Sequence, residues 1–440
     1  MKKRTLHPRI LDEKAECMPR AELEELQLAR LKRSLEHCYR RVPFFRNKWD
    51  KERFHPEAFN SLSDLRKLPF TTKEDLRKNY PFGLFALPMD QIVGLHSSTG
   101  TTGKPTLVAY SRNDLNNWAD LIARELAASG LEPGIIVQIA FGYGITTGGL
   151  GFHMGAARLG AAVLPTSNTL SPAHQLFELK ELNVGMLLCT PSFATTIQEE
   201  AEKSGIDLKE LPVAAAIMGG EAWTVELRER LERDWAFKAY DTYGLSEVIG
   251  PGVAHECQYQ NGHHIYEDHF IAEVVDFETG ELVAPGQTGE LVLTSLTKEA
   301  VPVVRYRTRD CTRLVPGTCA CGRSFQRIER VTGRIDESVI LGKKRVYPSD
   351  IEHIVFRFNE LSEYYQLVSE DKPMDRLKVI VESNESNISG YQMQLRELQK
   401  QVETSIRHEL ELDQVEVSIV PKYTLPRSVG KAERLFIQKP

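Results

Sequence analysis

Apolar residues at Leu23, Leu26, Leu28, Leu31, Leu35 and Cys38 recur at helical spacing. They predict one amphipathic packing helix over residues 20–48, reaching its limit near Pro43. Thr71-Thr72-Lys73-Glu74-Asp75-Leu76 reads as a helix start under a hydroxyl cap. Two short strands follow, 91–96 and 106–110, around a polar loop. From 113 to 240 the pattern alternates. Amphipathic helices are predicted at 113–128, 148–158, 174–182 and 192–203, and apolar strands at 135–140, 162–164, 185–188 and 213–218. That rhythm predicts a layered α/β domain on parallel strands. Ligands of such sheets gather at the carboxyl ends of the strands. Three polar or glycine-rich turns fall there: Gly142-Tyr143-Gly144, Gly219-Gly220-Glu221 and Asp241-Thr242-Tyr243-Gly244.

Beyond residue 260 the pattern turns to β, with strands at 270–276 and 289–295 separated by Glu278-Thr279-Gly280 and Pro285-Gly286, which predicts a β subdomain. A polar turn at Gly333-Arg334-Ile335-Asp336-Glu337 precedes a second α/β pattern, with strands at 377–382 and 415–420 and a charged helix at 390–412. The expected division is a large N-terminal domain, 1–335, and a small C-terminal α+β domain, 337–440, meeting at Asp336.

Composition narrows the function. In 440 residues, 41% are hydrophobic and 26% charged, as in a soluble globular chain. A net charge of −6 argues against nucleic acid as the main partner. No stretch has the length of a membrane span, and Met1-Lys2-Lys3-Arg4 leads into no apolar run of the secretory kind, so a cytoplasmic protein with no membrane partner is expected. Seven cysteines in a chain this long point to thiols or metal ligands, not to a disulfide framework. Cys189, inside the apolar run 184–189, reads as a buried small hydrophobe.

The loop Ser97-Ser98-Thr99-Gly100-Thr101-Thr102-Gly103-Lys104-Pro105-Thr106 combines glycines, hydroxyls and one lysine. Glycines allow backbone N–H groups to turn inward, hydroxyls add donors and lysine adds positive charge, a mixture suited to a polyphosphate. It is no Walker A loop: Ser98 stands where that motif needs its first glycine, and Pro105 follows Lys104 where Ser or Thr would ligate magnesium. Taken alone it also fits a plain glycine-threonine hairpin.

Four further segments follow it in order: Tyr243-Gly244-Leu245-Ser246-Glu247, Tyr306-Arg307-Thr308-Arg309-Asp310, Gly333-Arg334-Ile335-Asp336 and Pro426-Arg427-Ser428-Val429-Gly430-Lys431. In this order the chain resembles the adenylate-forming enzymes. Within them it is similar to the phenylacetate-CoA ligase group, through Phe141-Gly142-Tyr143-Gly144, Gly148-Gly149-Leu150-Gly151, Glu267-Asp268-His269-Phe270 and Thr297-Lys298-Glu299-Ala300. The resemblance runs from about residue 20 to the C-terminus. It implies that a carboxylate attacks the α-phosphorus of ATP to give an acyl-adenylate and pyrophosphate, after which the CoA thiolate displaces AMP. Such chemistry depends on positioning and charge neutralisation and needs no protein nucleophile.

The resemblance implies roles for individual residues. Ser97, Ser98, Thr99, Gly100, Thr101, Thr102, Gly103 and Lys104 would hold the β and γ phosphates, and Glu247 would hold Mg²⁺. Tyr243 would stack on adenine beside Gly244, with Gly220, Glu221, Ala222 and Asp241 lining the base pocket. Asp310 would accept both ribose hydroxyls, and Arg334 would hold ribose or phosphate. Lys431 would bridge the acid's carboxylate and the α-phosphate, and Asp336 would be the hinge of the small domain. Tyr143, Gly144 and Gly149, facing Gly219, would form a flat slot for the aromatic acid. The chain departs from the group at Pro165-Thr166-Ser167-Asn168-Thr169 and at Gly342-Lys343-Lys344-Arg345-Val346; the second could serve CoA phosphates or be a solvated loop.

Cys257, with Cys319 and Cys321, offers soft thiolates, and His263 or His264 an imidazole, a donor set suited to tetrahedral zinc. His264 is the ligand chosen, because it matches the group's Gly-x-His-Ile order. Four protein ligands would leave no open position, so the expected Zn²⁺ is structural. Cys311 reads as packing. The expectation is an ATP-dependent aryl-acid CoA ligase whose partners are an aromatic carboxylic acid, ATP and CoA, with a homodimer as its assembly. The rivals are an adenylating enzyme that loads a carrier protein, a ligase for a related acid such as indoleacetate or a benzoate, and a regulatory nucleotide-binding protein without turnover.

Overall fold

The computed structural model describes residues 3–98, 105–342, 344–370, 377–386, 392–427 and 431–438. The chain separates into two compact units. The first comprises Met1–Cys189, Glu210–Gly220 and Lys238–Arg330, and the second Thr190–Lys209, Glu221–Phe237 and Val331–Pro440.

A nine-stranded sheet forms the centre of the first unit. From one edge its parallel part runs Ala162–Leu164, Ile136–Ile139, Met186–Cys189, Ala215–Gly219 and Lys238–Leu245. The strand Met186–Cys189 is buried along its whole length, as a strand covered on both faces must be. At Lys238–Leu245 the direction reverses. Gly250–Glu256, His263–Ile265, Arg327–Ile328 and Leu314–Val315 continue the sheet in antiparallel order. The expected parallel sheet is therefore mixed, because a turn of only a few residues after Leu245 can return the chain antiparallel but cannot make a parallel crossover.

The helix Arg112–Ala128 starts on a reciprocal cap. Ser111 Oγ accepts the Asp114 amide at 3.0 Å, and Asp114 Oδ2 accepts the Ser111 amide at 2.9 Å. It packs closely on Gly148–Arg158. A Cβ built on Gly151 would meet the Trp118 ring at 2.4 Å, so glycine there is what lets the two helices approach. The predicted single helix over 20–48 is two helices, Arg20–Arg41 and Pro43–Lys51. Val42, extended at φ −114 and ψ 105, sits before Pro43, whose ring disfavours helical backbone in its predecessor but suits the first position of a new helix. The strand predicted at 91–96 is shifted to Gly94–Ser97, which pairs antiparallel with Leu107–Tyr110. The β subdomain appears as the antiparallel strands Phe270–Val275, Gly289–Ser295 and Tyr306–Thr312.

In the second unit, Val415–Val420, Leu377–Ser383, Leu361–Glu370 and Leu435–Gln438 form a four-stranded mixed sheet with Pro348–Val355 and Gln392–Leu410 as its helices. The helices Pro191–Ser204 and Val225–Trp235 belong to this unit as well. The Thr224 amide at the start of the latter donates to Glu352 Oε1 at 3.0 Å, and Arg230 Nη1 meets Glu363 Oε1 at 2.7 Å. Among the described residues no helix is long and apolar enough to cross a membrane.

Candidate active site

The site begins at the base of the hydroxyl-rich loop. Ser97 closes the register of the hairpin opposite Leu107. The Ser98 amide donates to Thr106 O at 3.0 Å, and the Thr106 amide donates to Ser98 Oγ at 3.1 Å. Thr99, Gly100, Thr101, Thr102, Gly103 and Lys104 lie outside the described residues. The Thr106 hydroxyl stands 2.8 Å from Ser98 Oγ and 3.2 Å from Glu247 Oε1, so the foot of the loop and the expected magnesium carboxylate share one contact. Glu247 is buried, with Lys73 Nζ 3.9 Å from Oε1. The sequence reading passed over Lys73, which looked like no more than the first residue under the Thr72 cap.

Glu247 lies in the turn between Lys238–Leu245 and Gly250–Glu256. That turn is tight: a Cβ on Gly244 would be 2.1 Å from Gly250 O, which only glycine avoids. On the same strand, Tyr243 donates its phenolic hydrogen to Asp310 Oδ2 at 2.6 Å, and the Asp310 amide donates to Thr308 Oγ1 at 3.0 Å. Asp241 is buried in a charged group of side chains. Its Oδ2 lies 3.1 Å from His263 Nε2 and 3.2 Å from Arg330 Nε, and its amide donates to Glu256 Oε2 at 2.8 Å. Nearby Glu125 is wholly enclosed, and burial pushes its pKa up to about 8. Neither Arg330 nor Glu125 was picked out from sequence, since one charge on a strand end and one on a helix carry no motif.

Gly219 ends the strand Ala215–Gly219 and Gly220 opens the turn after it; a Cβ on Gly219 would be 2.4 Å from Thr242 O, and Gly220 adopts φ +83. Of the residues expected to take the acid, the Tyr143 ring rests on Gly149, whose added Cβ would meet Tyr143 Cδ2 at 2.7 Å. The Tyr143 hydroxyl lies 3.2 Å from His153 Nδ1, and burial raises its pKa above the usual phenol range. Gly144 is exposed.

The remaining predicted residues belong to the second unit. Ala222 is exposed, and Glu221 Oε1 accepts the Ser192 amide at 2.7 Å. Arg334 Nε lies 3.1 Å from Oδ1 of exposed Asp336, in the turn Ile335–Glu337. Lys431 is exposed; Ser428, Val429 and Gly430 before it lie outside the described residues. In the basic segment, Lys344 is paired with Glu411, and Arg345 Nη1 donates to Ser338 Oγ at 2.7 Å.

The ligand atoms of Cys257, His264, Cys319 and Cys321 all lie within 4.8 Å of one another. Strand register explains the meeting. Glu256 pairs with His263, so Cys257 follows one strand as His264 continues the next, and the turn before Arg327–Ile328 brings in both remaining thiols. Cys257 Sγ to Cys319 Sγ is 3.6 Å and Cys321 Sγ to His264 Nε2 is 3.4 Å. A tetrahedral zinc with Zn–S near 2.3 Å has edges of about 3.8 Å between sulfurs and about 3.5 Å from sulfur to nitrogen, so the four donors fit that ion. The turn is held by Arg323, whose Nε makes a 2.5 Å buried ion pair with Glu16 Oε2.

The hairpin Gly94–Tyr110 with the buried carboxylate of Glu247 at its foot, and the tyrosine–aspartate pair on the mixed sheet, are features that an adenylate-forming site would use. The AMP-binding enzyme family model matches residues 25–297, and the AMP-binding enzyme C-terminal domain matches 344–439. The chain belongs to the AMP-binding enzyme family, in the adenylate-forming superfamily. It is 45% identical to the phenylacetate-coenzyme A ligase of Escherichia coli over 418 residues, 94% of each chain. To that of Aromatoleum evansii it is 42% identical over 423 residues, 95% of each. Among solved structures it is similar to 2-hydroxyisobutyryl-CoA ligase in the postadenylation state with 2-HIB-AMP, at TM-score 0.91 and 25% identity over 97% of this chain and 91% of that one.

Proposed function

We propose that this protein is an ATP-dependent, AMP-forming aryl-acid CoA ligase acting on phenylacetate or a close relative. It joins the acid to AMP with release of pyrophosphate, then transfers the acyl group to the CoA thiol. Identity above 40% to phenylacetate-CoA ligases across nearly the whole chain supports the activity. The observation that supports the assignment of the site is the contact of Thr106 with both Ser98 and Glu247, which brings a buried carboxylate beside the foot of the hydroxyl-rich loop.

On this reading Ser97 to Lys104 hold the β and γ phosphates, and Glu247 holds the Mg²⁺ that screens them. Tyr243 covers the adenine while its hydroxyl holds Asp310 for the ribose. Gly219, Gly220, Glu221, Ala222, Asp241 and Gly244 shape the base pocket, and Arg334 assists at the ribose or phosphate. Tyr143, with Gly144 and Gly149, takes the flat ring of the acid. Lys431 offsets the charge that develops between carboxylate and α-phosphate, and Asp336 is the hinge between domains 1–335 and 337–440. Cys257, His264, Cys319 and Cys321 would hold a structural zinc that fastens the edge of the large sheet. A supply of ATP and CoA makes the cytoplasm the place of action, and a homodimer is the proposed assembly.

Acid-dependent exchange of pyrophosphate into ATP, measured over a panel of aromatic and aliphatic acids, tests the reading. Exchange with phenylacetate-like acids, thioester formation with free CoA, and loss of exchange in Lys431→Ala are the expected results. Exchange unchanged by Lys431→Ala would remove that residue's role, and transfer only to a carrier protein would replace CoA as acceptor.

A further inference from the structure

A carboxylate that serves Mg²⁺ must be placed closely, because the ion takes near-ideal octahedral geometry with its oxygens at about 2.1 Å. Glu247 sits on a short turn, 246–249, and a turn without support would not hold it to that tolerance. This turn is braced by other residues of the first unit. Thr147 Oγ1 lies 2.9 Å from Ser246 Oγ. On the far side of Glu247, the Tyr110 phenol donates to Ile249 O at 2.8 Å, and the Trp118 indole Nε1 donates to Pro251 O at 2.7 Å. The two rings are wholly buried and stack on each other, their centres 5.0 Å apart and their planes 9° from parallel. Between the two carbonyls, Gly250 comes so near the stack that a Cβ there would meet Trp118 Cζ2 at 2.5 Å.

We infer that Tyr110 and Trp118 are positioning residues for Glu247. The inference rests on the reading of Glu247 as the magnesium carboxylate. Thr106, which touches Glu247 itself, precedes the strand Leu107–Tyr110, and Tyr110 ends it. One strand therefore grips the turn twice, by a hydroxyl on the carboxylate and by a phenol on the backbone two residues after it. Trp118 ties the chain just beyond to the helix Arg112–Ala128. With Ile249 O and Pro251 O both engaged, the backbone after Glu247 cannot shift without leaving a buried carbonyl unpaired. Groups one contact removed from a metal ligand set metal affinity in just this way.

Tyr110→Phe and Trp118→Phe each remove one hydrogen-bond donor and keep a ring in the stack. Calorimetric binding of ATP, repeated over a range of Mg²⁺ concentrations, reads the metal's contribution without turnover. AMP carries no polyphosphate to screen, so its binding reads the base and ribose pocket alone. The Mg²⁺ concentration that gives half-maximal ATP binding should rise roughly tenfold in each variant, while AMP affinity stays within about twofold. An unchanged Mg²⁺ requirement in either variant, with AMP affinity retained, overturns the inference. Loss of AMP affinity in step with ATP affinity in both variants marks a role in the fold alone and overturns it as well. Glu247→Gln separates these results from a failure of the underlying reading. Mg²⁺ dependence should vanish in that variant; if it survives, the carboxylate has no metal to hold and the positioning of Glu247 falls with it.

Discussion

The phenolic oxygen of Tyr243 lies 2.6 Å from Asp310 Oδ2, with both side chains buried, so one bond joins the expected adenine platform to the expected ribose acceptor. A hydrogen bond to a charged group contributes about 1.5–3 kcal/mol, part of which reaches the ligand. Tyr243→Phe should therefore raise the KM for ATP about fivefold and change kcat less than about twofold. Steady-state kinetics at saturating acid and CoA measure it; an unchanged KM for ATP would show that the bond serves only the fold.

The contact between Gly149 and Tyr143 makes the proposed acid slot testable. A methyl group on Gly149 would come 2.7 Å from Tyr143 Cδ2 and 2.9 Å from Gly142 O, so the ring must move. Overpacking costs about 1–3 kcal/mol, and Gly149→Ala should raise the KM for the aromatic acid roughly tenfold while the KM for ATP stays nearly constant. A shift in both constants together would place Tyr143 in the general core.

The four donors around Cys257 predict about one zinc per chain by elemental analysis. Cys319→Ser should release the metal and lower the unfolding midpoint by roughly 5–10 °C, corresponding to about 3 kcal/mol in a domain of this size. Full metal content in that variant would mean the cluster is not the binding site.

Lys298 gives a pH prediction. It is fully buried, its Nζ is 3.3 Å from the centre of the Tyr110 ring, and burial lowers its pKa to about 8 against the pull of Asp114. In the unfolded chain it titrates near 10.4. Between these values the unfolded chain binds more protons, so this residue makes stability rise as pH goes from about 8 to about 10; below 8 the buried charge imposes a constant cost. Thermal unfolding at pH 7 and 9.5 should show a rise in the unmodified protein that Lys298→Met lacks. Equal pH responses would contradict the assignment.

Strands and helices from 113 to 240 were legible because burial on both faces, or on one, leaves a period in the sequence. The helix 148–158 and the strands at 289–295 and 415–420 have the limits predicted for them. Direction leaves no such trace, which is why the antiparallel half of the large sheet was not foreseen. The break at Val42 was hidden by apolar residues that continue past it, at Phe45 and Trp49. Motif residues of the nucleotide site were readable because glycine, tyrosine and aspartate occur there in an unusual order. The partnership of Arg427 with Glu199 was not, since the two lie 228 residues apart and a glutamate on a charged helix looks like a solvated face.

The second unit draws its helices Pro191–Ser204 and Val225–Trp235 from the middle of the chain. Residues 337–440 thus share their compact unit with two helices that come earlier in the chain. A graft of that segment onto another ligase would leave Glu352 without the Thr224 amide and Glu363 without Arg230, unless the recipient supplied equivalents. Exchange of the C-terminal segment between such enzymes should give a folded chain only where the exchanged piece carries its two donor helices along.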